Sequence, residues 1–448
     1  MAFNKDFVWG AAAASYQIEG AAFEDGKGLS NWDIFCRREG RIFQGQTGET
    51  ACDHYHRYAD DIAIMKEIGL RGYRLSLSWC RILPSGTGKI NQKGIEFYDK
   101  LINELLNNGI EPYITLFHWD YPNELQKRGG WLNPDSPKWF SEYVKVVVEH
   151  FSDRVKNWFT INEPQCFIGF GYGGTRHAPA WGLGVKDTLS AAHNVLLAHG
   201  MAVSVIRTYS KQKAKIGFVP QGLVSFPETI TDKNIEASKI DMFSVKERSV
   251  HNNVWWMDPI YKGEYPKDGV ELFGSCMPKI GSDDMKIISQ PLDYFCINTY
   301  GGTPVYMDKD GAVQPAKRFD GYPENSREWP LDFDALYWGA KFFYERYRLP
   351  ILIAENGISL CDWVCLDGKV HDTQRIDFME RNILALQKAY NEGIPMHGYF
   401  VWSFMDNMEW MAGYAKRFGL VYVDYRTQKR IIKDSGLWYA KFIKDFYK

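Results

Sequence analysis

Amphipathic stretches and short apolar runs alternate along the chain with a recurring punctuation. Apolar residues three and four apart mark a helical face, a glycine ends it, and a β-type run follows that stops on a polar or aromatic side chain. Tyr58, Ile62, Met65 and Ile68 precede Gly69, after which residues 73–79 read as a strand. Phe97, Leu101 and Leu105 precede Gly109 and the run 113–117. Phe140, Val144, Val147 and Phe151 lead to the run 158–161. Late in the chain the faces 342–347 and 383–390 lead to the runs 351–354 and 399–403, and further runs lie at 7–14, 216–219 and 292–297. Eight strands alternating with helices predict an α/β fold, a single (β/α)8 TIM barrel over residues 1–448, because no Pro/Gly/Ser-rich linker divides the chain. A doubly wound open sheet would need a Gly-rich phosphate loop after an early strand, and none is present. Longer stretches at 30–55, 165–185, 221–290 and 301–332 then fall in the βα connections, which build the active site of a barrel at its C-terminal face.

Length alone would allow about three domains, so the element pattern is what decides for one. A hydrophobic fraction of 45% with 24% charged residues suits a large globular core. Lys+Arg 53 against Asp+Glu 55 gives a net charge of −2, which argues against a nucleic-acid partner. The eight cysteines are scattered, which fits free thiols in a reducing, cytoplasmic compartment. Cys361 and Cys365, with His371 the nearest histidine, read as unliganded. The run 7–14 loosely imitates a signal peptide, but Asp6, Gln17 and Glu19 crowd it and a buried first strand fits better. No apolar stretch is expected to reach the roughly 20 residues that span a bilayer, so no membrane partner is expected. His54, His56, His193 and His199 read as helix or loop residues; Asp60–Asp61, the lysines at 211–215 and Lys429–Arg430 read as solvated faces. Aromatic residues make up 15% of the chain, which suits either a large core or a pocket that stacks sugar rings.

At the predicted strand ends the chemistry becomes specific. Gln17, Arg74, His118, Trp119, Asn162 and Glu163 come from the first half, and Asn298, Tyr300, Glu355, Trp402, Glu409 and Trp410 from the second. Two carboxylates, Glu163 and Glu355, sit among amides, aromatics and one guanidinium. Glycoside hydrolysis needs one carboxyl that donates a proton to the leaving oxygen and one that attacks the anomeric carbon. Arg74 would favour the ionised form of its neighbour, while an apolar wall and a like charge would hold the proton on the other. Singly, N-E-P at 162–164 also fits a helix start and E-N-G at 355–357 a turn. Their pairing at the ends of two runs favours the catalytic reading.

The chain resembles glycoside hydrolase family 1, the β-glucosidase and 6-phospho-β-glycosidase group, over nearly its whole length. The resemblance rests on F-V-W-G-A-A-A-A-S-Y-Q-I-E-G at 7–20, Y-R-L-S-L-S-W at 73–79, L-F-H-W-D-Y-P at 116–122 and T-I-N-E-P at 160–164. I-N-T-Y at 297–300, I-A-E-N-G at 353–357, W-S-F-M-D-N-M-E-W at 402–410 and R-F-G-L-V-Y-V-D-Y at 417–425 complete it. It implies a retaining β-glycosidase that uses no metal and no organic cofactor, with Glu163 as general acid/base and Glu355 as nucleophile. It further implies that Gln17, His118, Asn162, Glu409 and Trp410 hydrogen-bond the transferred sugar and that Trp402 is its stacking floor. Arg74, Asn298 and Tyr300 would hold the nucleophile, and Trp119 and Phe418 would add to the wall. The chain departs from the family's usual Thr at Ala354, its usual Trp at Gln165 and its usual Gly at Ala180; the last two touch the leaving-group side. The expected substrate is a small-molecule β-glucoside or short cello-oligosaccharide, with a galactoside or fucoside preference, or a catalytically silent sugar-binding protein, as alternatives. Glu409 is expected to disfavour a 6-phosphate, with Lys416 pointing outward. A homo-oligomer is left open.

Overall fold

A computed structural model describes residues 3–448; Met1 and Ala2 of the predicted 1–448 domain lie outside the described residues. All eight predicted runs are strands: β1 (Val8–Ala12), β2 (Gly72–Ser76), β3 (Glu111–Phe117), β4 (Asn157–Asn162), β5 (Lys215–Val219), β6 (Phe295–Asn298), β7 (Ile351–Asn356) and β8 (Met396–Trp402). They form one sheet in the order β5-β4-β3-β2-β1-β8-β7-β6, parallel throughout. Its two edges meet. Asp293 N donates to Ile216 O at 2.9 Å, Asn298 N to Pro220 O at 3.1 Å and Gly222 N to Asn298 O at 2.8 Å, which brings β6 beside β5 and completes the barrel.

Large and small residues fill the barrel together. Tyr113, Phe159, Leu352 and Phe400 are buried in one interior cluster. A Cβ on Gly10 would stand 2.5 Å from the Phe400 ring, and one on Gly217 2.5 Å from Cys296 Sγ, so glycine at these strand positions makes room for the neighbour's bulk. Helices His54–Ile68, Gln92–Asn107, Ser136–Phe151, Val185–Tyr209, Ala335–Tyr347, Thr373–Asn391 and Asp434–Tyr447 surround the sheet.

The structure corrects the sequence reading in several places. The run 73–79 stops being a strand at Ser76, and Trp79 instead opens a helical turn, Trp79–Ile82. There Trp79 stacks on Tyr143 with centroids 5.0 Å apart, meets Tyr121 edgewise and packs at a tilt on Phe140, burial that an extended strand would forfeit. The stretch 221–290 carries four helices (Asp232–Met242, Val254–Lys262, Lys267–Phe273 and Asp284–Ile288), and Val224–Pro227, Gly302–Met307 and Val313–Pro315 form a separate three-stranded sheet. Helix Val185–Tyr209 is, against expectation, long and apolar enough to cross a bilayer by length and composition; most of it is buried against the rest of the fold. Asp61 and Arg430 are not solvated. Arg430 Nε donates to Asp61 at 2.8 Å and His54 Nδ1 lies 2.8 Å from the same buried carboxylate, because the C-terminal hairpin folds over the first helix of the barrel. All eight cysteines are free thiols, five of them buried.

Candidate active site

Two strands carry the carboxyl groups, and both carry them past an irregularity in register. On β4 the pairing with β5 slips between Phe159 and Asn162, three residues on β4 against two on β5. On β7 the pairing with β6 advances from Ile353 to Glu355 while β6 advances by one residue. Strict alternation from the interior residues Phe159 and Leu352 would turn Asn162 and Glu355 outward; the extra residue in each strand turns them into the mouth. Glu163 follows immediately, in the left-handed region at φ 43°, with its N–H donating to Val219 O at 2.7 Å. Trp119 (φ 81°) and Trp410 (φ 51°) share this costly conformation at the same mouth.

A continuous set of hydrogen bonds links the two carboxyls. Arg74 Nη1 donates to Glu355 Oε1 at 2.5 Å and Tyr300 OH to Oε2 at 2.6 Å. Arg74 Nη2 donates to Asn162 Oδ1 at 2.6 Å, and Asn298 Nδ2 donates to Asn162 Oδ1 at 3.0 Å and to Glu163 Oε1 at 2.9 Å. Burial first, and the like charge of Glu355 second, pushes the Glu163 carboxyl up to about 7, against the opposing pull of Asn298, Cys166 and Arg74. Both carboxyls are buried, but one is held by a guanidinium and a phenol and the other by an amide and a thiol. Such a pair can divide proton donation and nucleophilic attack between them.

Around this pair lie buried polar atoms with no partner among the described residues: Gln17 Oε1, His118 Nδ1, Asn298 Oδ1 and Glu409 Oε2. Gln17 spends its amide N–H groups on Asn407 Oδ1 (3.0 Å) and Met408 O (2.9 Å), which leaves its oxygen free as an acceptor. Asn162 Nδ2 donates to His118 Nε2 at 3.1 Å, so the neutral ring carries its proton on Nδ1. Burial, aided by Arg74, holds that imidazole well below its usual pKa and hence neutral. Unpaired donors and acceptors in a buried site are what a polyhydroxylated ligand would satisfy. The walls are aromatic. Trp402 and Trp410 each lie 6.0 Å from the His118 ring in near-parallel planes, and Trp119 lies 4.5 Å from Trp410 and bonds Asn162 O at 3.0 Å. Phe418 stands 6.0 Å from Tyr300. All thirteen residues singled out from the sequence thus meet at one mouth.

Four neighbours had gone unnoticed. Arg327 Nη1 donates to Glu409 Oε1 at 3.2 Å while its guanidinium lies 4.7 Å from the Trp329 ring centroid. Cys166 Sγ is 3.3 Å from Glu163 Oε2, and Thr115 Oγ1 accepts from Arg74 Nε at 3.2 Å. Cys166 lies two residues past T-I-N-E-P at 160–164 and Thr115 one residue before L-F-H-W-D-Y-P at 116–122, so each adjoined a motif already in view. Arg327 and Trp329 lie on a patternless loop and carry no such signal. Gln165, the departure expected to strip aromatic surface from the leaving-group side, is buried and bonds the backbone of Gln221 at 3.0 and 3.2 Å, so it joins two loops rather than lining a wall. Lys416 does not point outward; its ammonium donates to Ser326 O. A cavity of about 540 Å³ opens from Asn298, Tyr300 and Trp329 outward between the loops after β5 and β6.

The sequence model of glycosyl hydrolase family 1 matches residues 1–446. The chain is 42% identical to β-glucosidase A of Thermotoga maritima over 99% of its own length and 98% of the relative's. To the 1,4-β-D-glucan glucohydrolase of Thermotoga neapolitana it is 43% identical with the same coverage, and to the β-glucosidase of an Agrobacterium species 37% identical over 100% of this chain and 96% of that one. Among solved structures it is similar to the Thermotoga maritima β-glucosidase in complex with glucoimidazole (TM-score 0.91, 42% identity, 99% of each chain covered). The same enzyme in complex with galacto-hydroximolactam gives a TM-score of 0.90 at the same identity and coverage.

Proposed function

The chain belongs to glycosyl hydrolase family 1, and on that premise we propose that it is a retaining β-glucosidase whose acid/base is Glu163 and whose nucleophile is Glu355. It releases terminal β-D-glucosyl residues from β-glucosides and short cello-oligosaccharides, a reading supported by relatives named β-glucosidase and 1,4-β-D-glucan glucohydrolase. The observation that carries the assignment of roles is the linked carboxyl pair with opposed surroundings. Glu163 delivers its proton to the glycosidic oxygen as a Glu355 oxygen bonds to the anomeric carbon, and the C–O bond to the leaving group breaks. Water then attacks the glycosyl ester from the face the leaving group vacated, giving its proton to Glu163, and Glu355 departs as carboxylate. Two inversions return the β-anomer.

His118 Nδ1–H serves as a donor, Gln17 Oε1 and Glu409 Oε2 as acceptors, and Asn162 and Trp410 as further partners of the sugar hydroxyls, with Trp402 beneath the ring and Trp119 and Phe418 beside it. Arg74, Asn298 and Tyr300 position the carboxyls. The whole chain acts as one catalytic domain in the cytoplasm, consistent with its free thiols, on small-molecule sugars rather than nucleic acid. A galactoside is a second reading, favoured by the complex of a relative with galacto-hydroximolactam. Proton NMR of p-nitrophenyl β-glucoside hydrolysis is expected to show β-glucose first. An initial α-anomer would mean an intervening water and a wider carboxyl spacing than the about 5 Å of retaining enzymes.

A further inference from the structure

The Cys166 thiol has one proton and two acceptors within reach. Its Sγ lies 3.3 Å from Glu163 Oε2 and 3.7 Å from Gln221 Oε1, and it can donate to only one of them at a time. Burial first, and the charge of Glu163 second, hold the thiol well above its usual pKa, so the sulfur keeps its proton while Glu163 titrates. Glu163 Oε1 already accepts from Asn298, which puts a proton on Glu163 at Oε2, the oxygen beside the thiol. Gln221 is held from two sides. Its backbone exchanges two bonds with the Gln165 side-chain amide, at 3.0 and 3.2 Å, and the residues flanking it bond the backbone of Asn298. Its side-chain oxygen lies 3.1 Å from His251 Nε2, and because an amide oxygen only accepts, that ring nitrogen carries the proton. The His251 ring packs on Phe170 at 4.9 Å, and burial keeps its pKa below the usual value. The amide oxygen has two lone pairs; His251 takes one, which leaves the second for the thiol.

We propose that Gln221 is a positioning residue for the acid/base: its side-chain oxygen, fixed by His251, accepts the hydrogen bond of the Cys166 thiol while Glu163 is protonated, and the thiol turns to the carboxylate once Glu163 has given its proton away. This rests on the reading above in which Glu163 is the acid/base. The thiol rotates about its Cβ–Sγ bond and its proton stays on sulfur. In one position it leaves the Glu163 proton free for the leaving oxygen, and in the other it supports the carboxylate that activates water. Removing Gln221 Oε1 strands the buried thiol in the first state only, which favours ionised Glu163. Glu355, Arg74 and Arg176 act on Glu163 or Cys166 through their charges, and none of them bonds the thiol.

The test follows kcat/KM for phenyl β-glucoside against pH in the wild-type enzyme, Gln221→Met, His251→Phe, Cys166→Ala and the double variant Cys166→Ala/Gln221→Met. Gln221→Met keeps the backbone bonds to Gln165, so the loop stays in place. The alkaline limb is expected to move down by about a few tenths of a pH unit in Gln221→Met and by less in His251→Phe. Once Cys166→Ala is present, Gln221→Met should move it no further. Infrared spectra give a second readout. The S–H stretching band that Cys166→Ala removes should fall in frequency as pH rises through about 7 in the wild type, because a carboxylate is the stronger acceptor, and in Gln221→Met it should start from a higher, unbonded frequency. No shift of the limb, an upward shift, or an equal shift with and without Cys166 would reduce Gln221 to a loop support and overturn the proposal. A thiol band indifferent to pH would overturn it equally. A wild-type enzyme inactive on every β-glycoside, or equal losses on phenyl and dinitrophenyl glucosides in Glu163→Ala, would instead bring down the acid/base reading, and the infrared band would still decide the partners of the thiol.

Discussion

Glu163 must be protonated to donate, and burial beside Glu355 sets its pKa at about 7, so kcat/KM is expected to fall as pH rises through that value. Cys166 and Asn298 both pull that pKa down. Cys166→Ala removes a weak donor and should therefore move the alkaline limb upward, by about a few tenths of a pH unit, in a pH–rate profile with p-nitrophenyl β-glucoside. The two carboxyls should also fail differently. Glu163→Ala should largely spare a dinitrophenyl glucoside, whose leaving group needs no proton, while crippling substrates with poor leaving groups. Glu355→Ala should abolish turnover of both and regain activity with azide, yielding the α-glucosyl azide. At the far end of the pocket, a 6-phosphate would bring about two negative charges against Glu409, whose inward oxygen Arg327 does not cover. Cellobiose and p-nitrophenyl β-glucoside are expected to outpace their 6-phosphates at least about a hundredfold in kcat/KM, a gap of about 2.7 kcal/mol. A preference for the phosphates would place a different sugar in this pocket.

At the scale of the element, the site depends on how strand ends approach one another. Gly357 ends the E-N-G motif because a Cβ there would stand 1.8 Å from the carbonyl oxygen of Trp402 at the end of β8. Asn356, one residue earlier, is structural as well: its amide donates to Thr299 O at 2.7 Å and accepts from Tyr399 OH at 2.7 Å, tying β7 to β6 and β8. Gly357→Ala must force β7 and β8 apart and so move Glu355 against Trp402. Overpacking of this kind costs about 1–3 kcal/mol, and a displacement of around 1 Å at the reacting centre is worth about a hundredfold. The variant is expected to fold with a lowered thermal midpoint and to lose at least about tenfold in kcat, measured by calorimetry and steady-state kinetics. Wild-type kinetics would show that β7 adjusts without disturbing the nucleophile.

For the molecule as a whole, a buried network ties the last two βα loops to the chain's end. Lys433, fully buried, reaches Asp362 at 2.5 Å and Asp406 at 2.7 Å; Arg375 also binds Asp362 at 2.9 Å, and Arg417 binds Asp406 at 2.6 Å. Asp406 lies three residues before Glu409 on the segment that ends in Trp410. Lys433→Met leaves two buried carboxylates short of a cation, a loss of about 3–5 kcal/mol expected in denaturant unfolding, with a raised KM for glucoside as the 403–417 segment loosens. An unchanged midpoint would mean that Arg375 and Arg417 suffice.

How much of this was legible follows from what each feature depends on. The eight strands and their helices were readable because periodicity and glycine punctuation are local, and the motifs named all thirteen pocket residues because each but Arg74, in the middle of β2, occupies a strand end or the loop that follows. The charges at 61 and 430 were misread because a buried pair 369 residues apart looks, position by position, like two solvated faces. Arg327 was missed for the same reason: its partner Glu409 is 82 residues away on another loop. Alternation along β4 and β7 would even have pointed Asn162 and Glu355 out of the barrel, and only the pairing with β5 and β6 shows the extra residue that turns them inward. The sequence by itself therefore determined the fold and the chemical groups, since burial patterns and residue types are properties of the chain. Tertiary structure alone decided which carboxyl is clamped by Arg74, which is left with the raised pKa and which polar atoms stay unpaired, because desolvation and charge coupling depend on distances between elements far apart in sequence.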